Sequence, residues 1–118
     1  MMTADYILLL EDNVLVAMEV EDELAARGYA VACAVDLAEA GALVAARLPR
    51  LALLDLRLPD GDSAELARQL LAQGCPVALI SGADSGRIPE FLGAVPRFPK
   101  PAGAWQVADW VDNVLARG

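Results

Sequence analysis

Leu51-Ala-Leu-Leu-Asp55-Leu-Arg57-Leu-Pro-Asp-Gly-Asp62 is the stretch on which the fold turns. Its first four residues are apolar without alternation, which is how a strand reads when helices cover both faces of a parallel sheet. The run breaks on an acid, Asp55, and the Pro, Asp and Gly that follow are the residues of a structured loop. Ser63 to Gln73 then carries a helical pattern that Gly74 stops. Strand, acid, loop and helix in that order form one βα unit.

The same unit recurs on either side. Upstream, Tyr6-Ile-Leu-Leu-Leu10 is again wholly apolar and ends in Glu11 and Asp12; Asp12 or Asn13 can cap a helix from Val14 to Arg27, and Gly28 ends it. Ala30 to Ala34 reads as a strand, Asp36 as an N-cap, and Leu37 to Leu48 as an Ala-rich helix closed by Pro49. Downstream, Pro76 to Ile80 makes a fourth strand ending in Ser81-Gly82. A short helix is expected near Pro89 to Leu92, bounded by Gly86 and Gly93. Val95 to Phe98 is a fifth strand, Lys100-Pro101 follows it, and Ala102 to Arg117 forms the last helix. On that helix Ala104, Val107, Ala108, Val111, Val114 and Leu115 share one face, with Trp105 and Trp110 flanking it, either widening the buried contact or leaving one ring as an anchor for a partner. Five strands alternating with five helices imply an α/β domain with a parallel sheet between two helical layers. The expected organisation is one domain over residues 1–118, with nothing left for an output domain or a tail.

Composition narrows the function. Nine basic against seventeen acidic side chains give a charge of −8, the wrong sign for neutralising nucleic-acid phosphates or anionic lipid. The longest apolar run, Tyr29 to Val35, is far short of a membrane span, and no signal-peptide pattern opens the chain, so the expected location is the cytoplasm. Cys33 and Cys75 match neither a redox pair nor a zinc spacing and read as small, buried, reduced side chains. The absence of histidine removes the commonest general base and metal ligand, so any chemistry must rest on carboxylates, lysine, hydroxyls and backbone.

In an open parallel sheet ligands gather beyond the carboxyl ends of the strands. Here those ends carry Glu11, Asp12, Asp55, Ser81, Gly82 and Lys100. Carboxylates brought to about 4 Å repel by roughly 4 kcal/mol per pair at an effective dielectric near 20, a cost that a divalent cation removes. Oxygen-only ligands with positions left for water and phosphate oxygens favour Mg²⁺. Asp55 is then a candidate nucleophile toward a phosphoryl group, with Lys100 neutralising oxygen charge and Ser81 offering a hydroxyl. Taken singly, Glu11-Asp12 could be helix-capping acids, Ser81 a turn residue and Lys100 a solvated charge; their succession on consecutive strand ends is what carries the reading.

Glu11-Asp12, Asp55 within Leu54-Asp-Leu-Arg-Leu-Pro-Asp-Gly61, Ser81-Gly82 and Lys100-Pro101 make the chain resemble a response-regulator receiver domain of two-component signalling, over essentially its whole length. The resemblance implies a flavodoxin-like (βα)5 sandwich with strand order 2-1-3-4-5. It implies that Glu11 or Asp12 holds Mg²⁺, mostly Asp12 directly and Glu11 through water, that Arg57 lends a backbone carbonyl to the metal, and that Asp55 takes a phosphoryl group from a histidine kinase or histidine phosphotransfer protein. Ser81 becomes the switch hydroxyl and Lys100 the phosphate-pairing cation. A downstream protein target is expected on the face of the fourth helix, fifth strand and fifth helix.

The chain departs from the family pattern at several positions. Arg97 stands where receivers carry Tyr or Phe, and Phe98 one place later belongs to the other face of the strand. Ser63 occupies a common Gly position, a departure as well explained by helix capping as by function. Arg57 and Ala83 stand at the sites that tune phosphoryl lifetime in such proteins. Three rivals follow: a haloacid-dehalogenase-type phosphatase, which would need an Asp where Arg57 stands; a receiver-like interaction module that works without phosphorylation; and the receiver of a longer regulator.

Overall fold

Two strands are buried along their whole length, and they form the centre of the molecule. In the computed structural model, which describes residues 6–81 (Ser81 by its backbone alone), 89–100 and 103–116, these are β1 (Tyr6–Leu10) and β3 (Leu51–Asp55). Around them lie β2 (Ala30–Ala34), a two-residue hairpin of β4 (Arg57–Leu58) and β5 (Gly61–Asp62), β6 (Val77–Ser81) and β7 (Arg97–Pro99). The helices are α1 (Val14–Ala26), α2 (Leu37–Ala46), α3 (Ala64–Ala72) and α4 (Ala104–Ala116). The main sheet is parallel throughout, in the order β2-β1-β3-β6-β7, which is the expected 2-1-3-4-5 once the hairpin is set aside.

Side-chain alternation divides the apolar residues of each strand between two cores. Leu8, Leu10, Leu54 and Leu79 pack with Ala40 of α2 and with Ala67 and Leu70 of α3. Ile7, Leu9, Leu53 and Ile80 pack with Val20 and Leu24 of α1 and with Val107, Ala108 and Val111 of α4. The unbroken apolar strands thus have their physical reason: neither face of β1 or β3 meets water. This is the three-layer α/β sandwich of the flavodoxin-like type.

Local signals place most of the boundaries. Asn13, not Asp12, caps α1, its Oδ1 accepting the N–H groups of Leu15 and Val16 at 3.0 and 3.2 Å. Gly28 and Gly74 take the left-handed conformation that ends α1 and α3, with φ of 94° and 81°. Asp36 caps α2 by accepting the Glu39 N–H at 2.8 Å.

Four expectations are corrected. The loop after Asp55 contains the small antiparallel hairpin, pairing Arg57 with Asp62 and Leu58 with Gly61. The short helix near Pro89 is a single 3-10 turn, Glu90–Leu92, and the described residues contain four α-helices. Cys33, on the edge strand β2, is exposed, while Cys75 is buried. Ser63 makes no capping bond; Asp62 Oδ1 accepts the Ala64 N–H instead, which releases the serine hydroxyl for another partner.

Candidate functional site

The site grows out of strand register. Leu10 lies beside Leu54 in the β1–β3 ladder, so the next residue on each strand, Glu11 and Asp55, emerge side by side at the carboxyl edge. The β6–β7 ladder pairs Ser81 with Pro99, which delivers Lys100 to the same edge. Its ammonium donates to Glu11 Oε2 at 2.9 Å and to Asp55 Oδ2 at 3.0 Å. Residues 45 and 89 positions apart in sequence thereby share one charge centre.

Glu11 and Asp55 are almost fully buried, at 1% and 5% exposure, whereas Asp12 is exposed. One carboxylate oxygen from each of the three lies within 4.8 Å of the others. The Asn13 N–H donates to Glu11 Oε2 at 3.0 Å, and the Arg57 N–H reaches Asp55 Oδ1 at 3.4 Å. The Ser63 hydroxyl donates to the backbone carbonyl of Asp55 at 2.8 Å. The sequence leaves Ser63 open between helix capping and function; the structure gives its hydroxyl to the Asp55 carbonyl and no cap bond to α3.

Burial drives the Glu11 carboxyl above its ordinary range, an effect only partly offset by the Asn13 N–H and by Lys100. For Lys100 burial acts against the charged form, but the hydrogen bonds to Glu11 and Asp55 outweigh it and its pKa is raised. Glu11 Oε1 is buried and has no hydrogen-bond partner among the described residues. An unpartnered buried carboxylate oxygen beside two further carboxylates, in a set of oxygen donors alone, fits a hard divalent cation.

Glu11, Asp12, Asp55 and Lys100 therefore come together as expected, and Arg57 contributes its backbone beside Asp55 while its residue as a whole is exposed. The Ser81 side chain, Gly82, Ala83 and Pro101 lie outside the described residues. Arg97 is exposed and borders a groove with Leu79, Glu90 and Leu92, while Phe98 turns to the opposite face and meets Trp110 edge-on at 6.1 Å. Phe98 does not replace the aromatic that Arg97 displaces. Trp105 is exposed and Trp110 is half-buried.

The family model described as response regulator receiver domain matches residues 7–94. The chain belongs to this family. Its members are the receiver domains of two-component signalling, which typically bind Mg²⁺ at an acidic pocket and engage histidine kinases and downstream targets. Among solved structures, SdrG from Sphingomonas melonis Fr1 is 27% identical with a TM-score of 0.81, the match covering 98% of this chain and 99% of that one. The receiver domain of NtrX from Brucella abortus is 27% identical with a TM-score of 0.80, over 95% and 99% of the two chains. A CheY-like receiver domain protein from Methanospirillum hungatei JF-1 is 22% identical with a TM-score of 0.80, over 98% and 96%, a likeness of fold. No curated protein matches. No helix among the described residues is long and apolar enough to cross a membrane.

Proposed function

We propose that the chain works as a stand-alone receiver over residues 1–118, in which Asp55 accepts a phosphoryl group from a phosphohistidine on a histidine kinase or a histidine phosphotransfer protein. The observation that carries this reading is the Lys100 ammonium held between Glu11 and Asp55 at the rim of a three-carboxylate mouth. In the transfer an Asp55 carboxylate oxygen bonds to phosphorus as the donor's phosphorus–nitrogen bond breaks, the bonding pair staying on the imidazole. Lys100 offsets charge on the transferring oxygens, the Ser81 hydroxyl donates to one of them, and the buried Ser63 bond fixes the backbone from which Asp55 reaches out.

Glu11, Asp12, Asp55 and the backbone carbonyl of Arg57 would hold Mg²⁺, which supplies neutralisation of phosphoryl oxygen charge when bound. Hydrolysis of the resulting acyl phosphate by water restores Asp55 and releases phosphate. The acquired charge of about −2 draws Lys100 from Glu11 toward the phosphoryl group and reweights the conformations of the domain. Taking a 1:99 mixture to 99:1 requires that the phosphorylated site favour one state by about 5.5 kcal/mol.

Output passes through another protein or by onward phosphotransfer, in the cytoplasm, without nucleic acid or membrane, in keeping with a charge of −8. The face formed by the 3-10 turn, β7 and α4 is the proposed contact, and the exposed Trp105 ring on α4 suits an anchoring role there. Arg97, exposed where the family carries an aromatic, favours a second reading in which the domain binds partners without phosphorylation. Intact mass after incubation with Mg²⁺ and acetyl phosphate separates the two. The first reading expects one phosphoryl group on the wild type and none on Asp55→Asn; a wild type that gains none, even from its cognate kinase, supports the second.

A further inference from the structure

Two acids from separate segments serve the first turn of α2. Asp36, its own N-cap, accepts the Glu39 N–H at 2.8 Å. The Leu37 and Ala38 N–H groups donate instead to Asp60, to Oδ1 at 3.0 Å and to Oδ2 at 3.1 Å. Asp60 lies in the tip between β4 and β5, in the loop that leaves the phosphoacceptor strand. Donors at a helix start need acceptors, which normally come from the preceding residue. Here two of the three come from more than twenty residues away.

The contact extends beyond hydrogen bonds. Gly61 has φ of +140°, and a Cβ there would lie 3.2 Å from Leu37 Cδ1, so the hairpin tip sits directly on the start of α2. At its other end the same loop is tied to Asp55: Ser63 Oγ donates to the Asp55 carbonyl at 2.8 Å, the Ser63 N–H to the Leu56 carbonyl at 2.9 Å, and the Arg57 N–H faces Asp55 Oδ1 at 3.4 Å. The paired positions Arg57–Asp62 and Leu58–Gly61 join the two ends. A ladder of two pairs has little stability of its own.

We infer that Asp60 is a positioning residue for Asp55: its two-oxygen grip on α2 anchors the acceptor loop and so fixes the backbone of Arg57 against the Asp55 carboxylate. The rate arm of its test rests on Asp55 being the phosphoryl acceptor; the exchange arm does not. A carboxylate suits the position because both of its oxygens accept, whereas the amide of an Asn would turn an NH₂ toward one of the two donors.

Asp36 provides the internal control, since it caps the same helix end without belonging to the acceptor loop. Amide hydrogen exchange is expected to quicken at Arg57 and Ser63 in Asp60→Ala and to stay at the wild-type rate there in Asp36→Ala. Phosphoryl uptake from acetyl phosphate with Mg²⁺ is expected to slow about fivefold or more in Asp60→Ala, less in Asp60→Asn, and under about twofold in Asp36→Ala, as displacement of a reacting group demands. Equal exchange at Arg57 and Ser63 in the two alanine variants overturns the inference whatever the phosphorylation result. A wild type that takes no phosphoryl group overturns the proposed function, while faster exchange confined to Asp60→Ala would still uphold Asp60 as the anchor of the loop.

Discussion

At the scale of single residues, three groups of opposite need share one small volume: two buried carboxylates that repel and one ammonium that holds them together. Replacing Lys100 by Ala removes that ammonium and deepens the negative potential of the pocket. Mg²⁺ titrations of Lys100→Ala are therefore expected to give a dissociation constant no weaker than that of the wild type, while phosphoryl uptake falls by about 100-fold, the scale of losing one charge-stabilising donor. Burial raises the Glu11 carboxyl, and metal must displace any proton it carries. Mg²⁺ affinity is thus expected to fall on acidification from a pH above the ordinary carboxylate range of about 4.3, as titrations at successive pH values would record. The acids and Lys100 were legible because each interrupts or follows an otherwise apolar strand. The role of Ser63 was not, because its hydroxyl could serve the helix or the Asp55 carbonyl, and the choice depends on Asp62 already serving the Ala64 N–H.

At the scale of elements, α1 and α4 are joined by a cluster that pattern reading does not reach. Arg27, just past the end of α1, donates to Glu23 at 3.0 Å, Asp109 at 2.8 Å and Asp112 at 2.7 Å, and the Tyr29 hydroxyl donates to Asp112 at 2.6 Å. The Tyr29 and Arg27 bonds hold the Asp112 carboxyl below its usual range. A carboxyl lowered on folding contributes stability above its unfolded pKa of about 3.9, and that contribution is lost as pH falls through the folded value. Urea unfolding of Arg27→Ala is accordingly expected to show lower stability near neutrality and a shallower further loss below about pH 4 than the wild type. Gly61→Ala meets both a positive φ and Leu37 Cδ1, and should cost about 1 kcal/mol or more by the same measurement. Helix starts and stops at Asn13, Asp36, Gly28 and Gly74 follow from local chemistry and could be read in advance. The hairpin after Asp55 and the exposure of Cys33 could not, since both depend on which element becomes a neighbour and which strand an edge.

At the scale of the whole molecule, a sheet covered on both faces supports a site whose own charges resist burial. Leu54 is fully buried one residue before Asp55, and Leu54→Ala is expected to cost about 2–5 kcal/mol in thermal or urea unfolding, a large share of a small domain's stability. Binding of Mg²⁺ to the folded chain alone should stabilise it by about 2.7 kcal/mol at a hundred times its dissociation constant, raising Tm, and Asp12→Asn should reduce that gain. The sandwich itself was legible because unbroken apolar strands alternating with helices admit few other arrangements. The central claim is that Asp55 is the residue that carries the phosphoryl group, and an acyl phosphate can be reduced in place by borohydride and found by peptide mass mapping. The account predicts homoserine at position 55 after treatment with phosphodonor and Mg²⁺, and unmodified Asp12; reduction at another acid, with position 55 intact, would contradict it.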